Sequence, residues 1–172
     1  MRPGENLNNT SIHYWDSLSS KTRISKILVP LDDSESATNA ADYALLITKG
    51  LNAELIAIHV VRSEDALVAT NLLIEDLDTV TTGDSILQKV KEDAQKWFNE
   101  IKQKSNANGI RLRTGLVISP TDIEDAIVNY AERENVDLIV IGGGKSGLKQ
   151  RLLGSTTSHV ATQTNRPILI VK

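Results

Sequence analysis

The stretch KILVPLDDSESATNAADYALLITKGLNAELIAIHVV, residues 26–61, decides the fold class of this chain. It begins with a short apolar run at residues 27–29 and ends with a denser, β-rich apolar run at residues 55–61. Both runs have the length of a buried strand. Between them, alanines and other small residues recur at helical spacing. A strand, a helix and a strand in this order form a βαβ unit, whose two strands must lie parallel.

The rest of the chain repeats this alternation. Helical spacing returns at residues 87–101, 123–131 and 155–164, and apolar strands return at residues 110–118, 137–141 and 167–171. These strands are too uniformly apolar for a sheet with one solvated face, so we expect helices on both faces. The sequence therefore predicts one doubly wound, five-stranded parallel α/β domain with strand order 3-2-1-4-5.

Local signals indicate where the helices begin and end. Ser34 or Ser36 can cap the first helix, and Gly50 can supply its left-handed stop. Ser119 followed by Pro120 is typical of another helix start, with serine as the cap and proline at the first helical position.

Composition narrows the class of protein. The 172 residues carry a net charge of -3, which disfavours a dedicated nucleic-acid binder. No apolar run approaches the roughly 20 residues that span a bilayer, and the N-terminus lacks the apolar core of a signal peptide. We therefore expect a cytoplasmic protein with no membrane partner, made of a flexible extension at residues 1–23 and a domain at residues 24–172. With no cysteine and three scattered histidines, the sequence offers no zinc-type metal site.

A glycine-rich segment follows the fourth strand: GGGKSGLKQRLLGST, residues 142–156. Glycines between a strand and a helix leave backbone amides free to cradle a phosphate. Three interpretations compete. The spacing G-x-G-x-x-G suggests a dinucleotide site, but no acidic residue follows Asp137 to hold the ribose. A P-loop would need its first glycine at Ile139, inside the strand.

The third interpretation places Gly144 and Gly154 at the two ends of one loop, with nine residues between them and Ser155 next. Here the chain resembles the universal stress protein family, whose ATP-binding members carry G-x-x-G, nine residues, then G-(S/T). The resemblance covers residues 25–172 and rests on the stretches VPLDDS (29–34), IHVV (58–61), VDLIVIG (136–142), LLGS (152–155) and RPILIV (166–171). One departure stands out, because the first pair is G-x-G, one residue short.

The resemblance implies particular roles for particular residues. Asp32 would hold the ribose, and Val60 would meet the adenine through its backbone. Lys145, within the loop, is our candidate for a phosphate contact. The full set of predicted cofactor-binding residues is Pro30, Leu31, Asp32, Val60, Ile141, Gly142, Gly143, Gly144, Lys145, Gly154, Ser155 and Thr156. The family also implies a homodimer that pairs through the C-terminal strand.

Three functions remain open at this point. The first is a stress-response or signalling module that binds ATP or another adenine nucleotide (AMP or cyclic AMP), with Mg²⁺ arriving on the nucleotide. The second is a slow ATP hydrolase, for which Asp32 and Asp33 are the only nearby acids. The third is a dimeric module that binds a protein client and no nucleotide, which the shortened glycine pair favours.

Overall fold

The structure, a computed structural model, describes residues 23–64, 83–144 and 153–172, with the backbone alone for residues 83–87. The predicted N-terminal extension up to residue 22, residues 65–82 and the predicted phosphate contact Lys145 lie outside the described residues. Strands and helices alternate along the chain: β1 Lys26–Pro30, α1 Glu35–Leu51, β2 Glu54–Arg62, α2 Gly83–Ala107, β3 Arg111–Ser119, α3 Ile123–Arg133, β4 Leu138–Gly142, α4 Ser155–Gln163 and β5 Ile168–Val171.

The five strands form one parallel sheet in the order β3-β2-β1-β4-β5, which confirms the predicted fold class and strand order. The central strand β1 pairs with β2 on one side and with β4 on the other. The chain therefore adds β2 and β3 on one side of β1, then crosses over and adds β4 and β5 on the other side. Such a reversal leaves a crevice beyond the carboxyl ends of the two strands.

Strand residues alternate between two cores, one on each face of the sheet. Ile27 and Val29 belong to the cluster beneath α1 and α2, whereas Leu28 belongs to the cluster beneath α3 and α4. All three side chains are fully buried. Because each core needs its own pair of helices, this alternation confirms the prediction of helices on both faces.

The helix α1 begins as predicted but ends later. The Ser34 hydroxyl accepts a 3.1 Å hydrogen bond from the amide of Ala37, so it is the N-cap. The prediction of Gly50 as the left-handed stop is wrong, since the helix continues to Leu51 and Asn52 takes that conformation with φ of 51°. Asparagine tolerates this region better than most residues with a side chain.

The start of α3 was also predicted one turn too early. Ser119 still belongs to β3, because its pairing with Arg62 of β2 holds it extended. Its hydroxyl accepts a 3.1 Å bond from the Thr121 amide, and Asp122 occupies the N-cap position. The serine therefore stabilises the turn before the helix.

Among the described residues, each helix is either too short or too polar to span a bilayer.

Candidate functional site

A cavity of about 620 Å³ lies beyond the carboxyl ends of β1 and β4. Ten of the twelve predicted site residues line it: Pro30, Leu31, Asp32, Val60, Ile141, Gly142, Gly144, Gly154, Ser155 and Thr156. Gly143 is not among the lining residues, and its amide donates a 2.7 Å hydrogen bond to the Val171 carbonyl. The fold thus brings together residues from four separate parts of the chain. Their binding roles remain a proposal.

The two ends of the glycine segment meet at this cavity. The amide of Gly154 donates a 3.0 Å hydrogen bond to the carbonyl of Gly143. Gly144 has φ of +99°, and a Cβ there would lie 2.9 Å from the backbone nitrogen of Gly154. A side chain at position 144 would therefore be strained by its backbone conformation and would also collide with the opposite end of the loop.

Gly142 brings β4 close to the start of α1. A Cβ on Gly142 would come within 2.6 Å of the carbonyl carbon and oxygen of Ser36. Even alanine would thus force the helix away from the strand end. The glycine allows the first turn of α1 to form one wall of the cavity.

The N-terminus of α4 faces the cavity, and no side chain of the described residues caps it. Its N-cap is Gly154, which has no side chain to accept from the first turn. The first amides of an α-helix have no intrahelical acceptor, and the helix dipole places partial positive charge there. The amides of Ser155 and Thr156 can therefore bind an anion such as a phosphate.

The start of α1, in contrast, has a side-chain cap. Ser34 caps the Ala37 amide, and the Asp32 carboxylate accepts a 2.9 Å bond from the Ser34 amide. Asp32 is nevertheless exposed at the cavity, and a carboxylate has several acceptor sites beyond the one used here. It can accept hydroxyl groups of a ligand while it holds the turn.

The cavity also has an apolar wall. Val60, Ile123, Ile127 and Ile141 contribute to it from β2, α3 and β4. The two α3 isoleucines were missed by the sequence analysis. The sequence signal for them was the rule that ligands bind beyond the carboxyl ends of parallel strands, since only three residues separate the end of β3 from the start of α3.

The titratable groups among the described lining residues are Asp32, Asp33 and His59, with no lysine or arginine. Attraction for an anion in this part of the chain thus comes from backbone amides. The pair His159 and Asp125, with Nε2 and Oδ1 2.9 Å apart, joins α4 to α3. This pairing was not predicted, because nothing in the local sequence places His159 opposite Asp125. Within the described ranges, no group of three or more potential metal-ligating side chains occurs.

Residues 23–172 match the family model described as "Universal stress protein family". The chain belongs to this family. A curated relative, the universal stress protein MJ0531 of Methanocaldococcus jannaschii, is 33% identical over 148 residues, which is 86% of this chain and 81% of the relative.

Solved universal stress protein structures share the fold. The structure of MJ0577 aligns with a TM-score of 0.66 at 30% identity and covers 87% of this chain and 96% of that one. A universal stress protein in complex with cAMP aligns with a TM-score of 0.56 at 26% identity, covering 87% of this chain and 97% of that one.

Proposed function

We propose that this universal stress protein binds an adenine nucleotide in the cavity between β1 and β4 and acts as a stress-response or signalling module. The observation that carries the proposal is the open N-terminus of α4, held against the cavity by the joined ends of the glycine segment. The relative solved with cAMP supports the ligand class. We also propose, on the basis of the sequence, that this protein is cytoplasmic and binds a protein client.

Each part of the nucleotide matches one part of the cavity. The phosphate lies on the amides of Ser155 and Thr156, where the helix dipole favours negative charge. Asp32 accepts the ribose hydroxyls. The adenine lies against the apolar wall and meets the backbone of Val60.

The size of the cavity fits this class of ligand. Small-molecule sites usually measure about 300–1,000 Å³, and about 620 Å³ accommodates a mononucleotide. Asp32 and Asp33 lie at the same cavity, so each additional phosphate adds repulsion. ATP would need a cation there, either Lys145 from the loop or Mg²⁺, whereas AMP or cyclic AMP would depend on it less.

The test is to identify what the purified protein carries and what stabilises it. Nucleotide is extracted and identified by mass spectrometry, and ATP, AMP and cyclic AMP are then compared by thermal shift. A ligand at a hundredfold excess over its Kd adds about 2.7 kcal/mol, which raises the Tm of a domain this size by roughly 5–10 °C. No extracted nucleotide and no shift with any of the three would contradict the proposal and favour a module that binds only proteins. Bound ATP that turns into ADP over time would instead support slow hydrolysis.

We also propose that two copies pair through β5. The carbonyls of Pro167 and Val171 accept bonds from β4. Because backbone groups alternate in direction along a parallel strand, those of Ile168 and Ile170 point to the outer edge of the sheet, where no strand of the described residues pairs. An antiparallel copy of the same strand satisfies this edge with two-fold symmetry.

The surface beside that edge is apolar as well. Asp42 of α1 reaches across to α2 through Lys104. Tyr43 follows Asp42 in the sequence and therefore lies on the other side of the buried stripe of α1. This buried stripe packs over β4 and β5. Tyr43 is 53% exposed and Leu46 is 68% exposed. A second copy docked along β5 would shield part of this flank.

A further inference from the structure

His59 lies between the cavity and the helix α2. Its Nδ1 is 2.8 Å from the carbonyl oxygen of Leu31, and its ring stacks obliquely on Trp97 of α2, with ring centroids 4.6 Å apart. The residue also lines the cavity. No role in ligand binding has been assigned to it above.

The direction of the His59 side chain excludes it from the apolar wall. Ile58 and Val60 belong to the core beneath α3 and α4, so the residue between them points to the other face of the sheet. There it meets Trp97. Any influence of His59 on a ligand beside Val60 must therefore pass through the backbone that it holds.

That backbone is the peptide between Leu31 and Asp32. A carbonyl oxygen can only accept, so Nδ1 of His59 carries the proton and donates it. In a trans peptide the N–H points away from the C=O. With the Leu31 carbonyl fixed toward His59, the Asp32 amide points away from α2.

A neighbouring contact holds the preceding peptide, between Pro30 and Leu31, in place. The Leu31 amide donates a 2.7 Å bond to the carbonyl of Ile58, which extends the pairing of β1 with β2 past Pro30. The Asp32 amide, in contrast, has no acceptor within the described residues, although the residue lines the cavity. One donor at the ligand site is thus oriented and unused.

We propose that His59 is a positioning residue for the nucleotide, aiming the Asp32 amide at an acceptor on the nucleoside. This inference rests on the proposed function, since it assigns a task within the same site. The Asp32 carboxylate accepts and its amide donates, so one residue offers both kinds of hydrogen bond to the ligand.

Three substitutions separate the hydrogen bond of His59 from its ring. His59→Asn keeps an amide donor near the position of Nδ1 and loses the ring. His59→Phe keeps a ring against Trp97 and loses the donor, and His59→Leu loses both. Binding of cyclic AMP, AMP and ATP is measured by calorimetry, with unfolding of each variant measured in urea.

We expect Kd to rise about five- to tenfold in His59→Phe and His59→Leu, the loss of one oriented hydrogen bond, and to stay within about threefold in His59→Asn. A role in stability alone would instead make affinity follow the urea midpoints. Wild-type affinity in His59→Phe, or equal losses in His59→Asn and His59→Phe, would overturn the inference and leave the proposed function standing. A wild-type protein that binds none of the three nucleotides would overturn both.

Discussion

The hydroxyl of Thr157 donates a 2.6 Å hydrogen bond to the carbonyl of Gly142, which ties α4 to the end of β4. Thr157 is only 3% exposed, so this bond is shielded from water. It links the helix whose N-terminus faces the cavity to the strand that ends at the cavity. The position of the uncapped amides of α4 thus depends on one buried hydroxyl.

Replacing this hydroxyl should affect stability and binding together. Thr157→Val keeps the shape but leaves the Gly142 carbonyl without that partner, at a cost of about 1–3 kcal/mol in the free energy of unfolding. Nucleotide Kd should rise at the same time, because α4 shifts. Thr162→Val is the matched control, since Thr162 is exposed and bonds only within its own helix. Equal behaviour of the two variants in urea unfolding and calorimetry would count against this role of Thr157.

The loop ends provide a sharper test of the binding site. Gly144→Ala puts a methyl group 2.9 Å from Gly154 at a positive φ, so the loop ends must separate. We expect nucleotide affinity to fall at least about tenfold while far-ultraviolet circular dichroism stays unchanged. Gly50→Ala is the control: that site in α1 has open space, and alanine there should raise stability by about 0.5–1 kcal/mol without affecting binding. Unchanged affinity in Gly144→Ala would move the site away from this loop.

The sheet has a pH-dependent contact at its opposite end. Asp137 Oδ2 accepts from the Ser25 amide, the Ser25 hydroxyl and the Lys26 amide, at 2.7, 2.7 and 2.9 Å. Partial burial alone would raise the pKa of Asp137, but these hydrogen bonds, helped by the charge of Arg166, lower it overall. The contact therefore joins the beginnings of β1 and β4 most strongly when the carboxyl is ionised.

Because its folded-state pKa is lowered, Asp137 contributes stability above the pKa of an unfolded aspartate, about 3.9. That stability is lost as the pH falls through the lower folded value. Asp137→Asn should lower the free energy of unfolding at pH 7 by on the order of 1 kcal/mol, a value reduced by solvent screening of a partly exposed group. In urea titrations below about pH 4, the difference in the free energy of unfolding between Asp137→Asn and the wild type should shrink. Asp93→Asn is the control, because Asp93 forms an exposed ion pair with Lys96 and its loss should change the free energy of unfolding less. If the difference between Asp137→Asn and the wild type did not depend on pH, ionisation of Asp137 would not contribute to stability.

The features that the sequence predicted correctly depend on local patterns. Apolar runs with helical segments between them predicted a parallel sheet with helices on both faces, because a βαβ unit allows few arrangements. The spacing of Gly144 and Gly154 also placed them at the two ends of one loop. Such features need no knowledge of how distant side chains pack.

The features that were missed depend on tertiary contacts. Ser119 looks like a helix cap in isolation, but its pairing with Arg62 keeps it in β3 and moves the start of α3 to Asp122. That register decides which α3 side chains reach the cavity, so the strand-end rule points to this region but does not single out Ile123 and Ile127. The bond from His59 to Leu31 likewise joins residues 28 positions apart.

The open edge of β5 gives a test of the proposed dimer that spares the fold. The backbone of Ile170 points outward, so Ile170→Pro removes one outward donor without breaking a bond to β4. We expect a monomer in sedimentation velocity, with the nucleotide site retained. Leu169→Pro, one residue earlier, removes a donor that faces β4 and should instead destabilise the domain. If Ile170→Pro sediments like the wild type as a dimer, the two copies meet through a surface other than this edge.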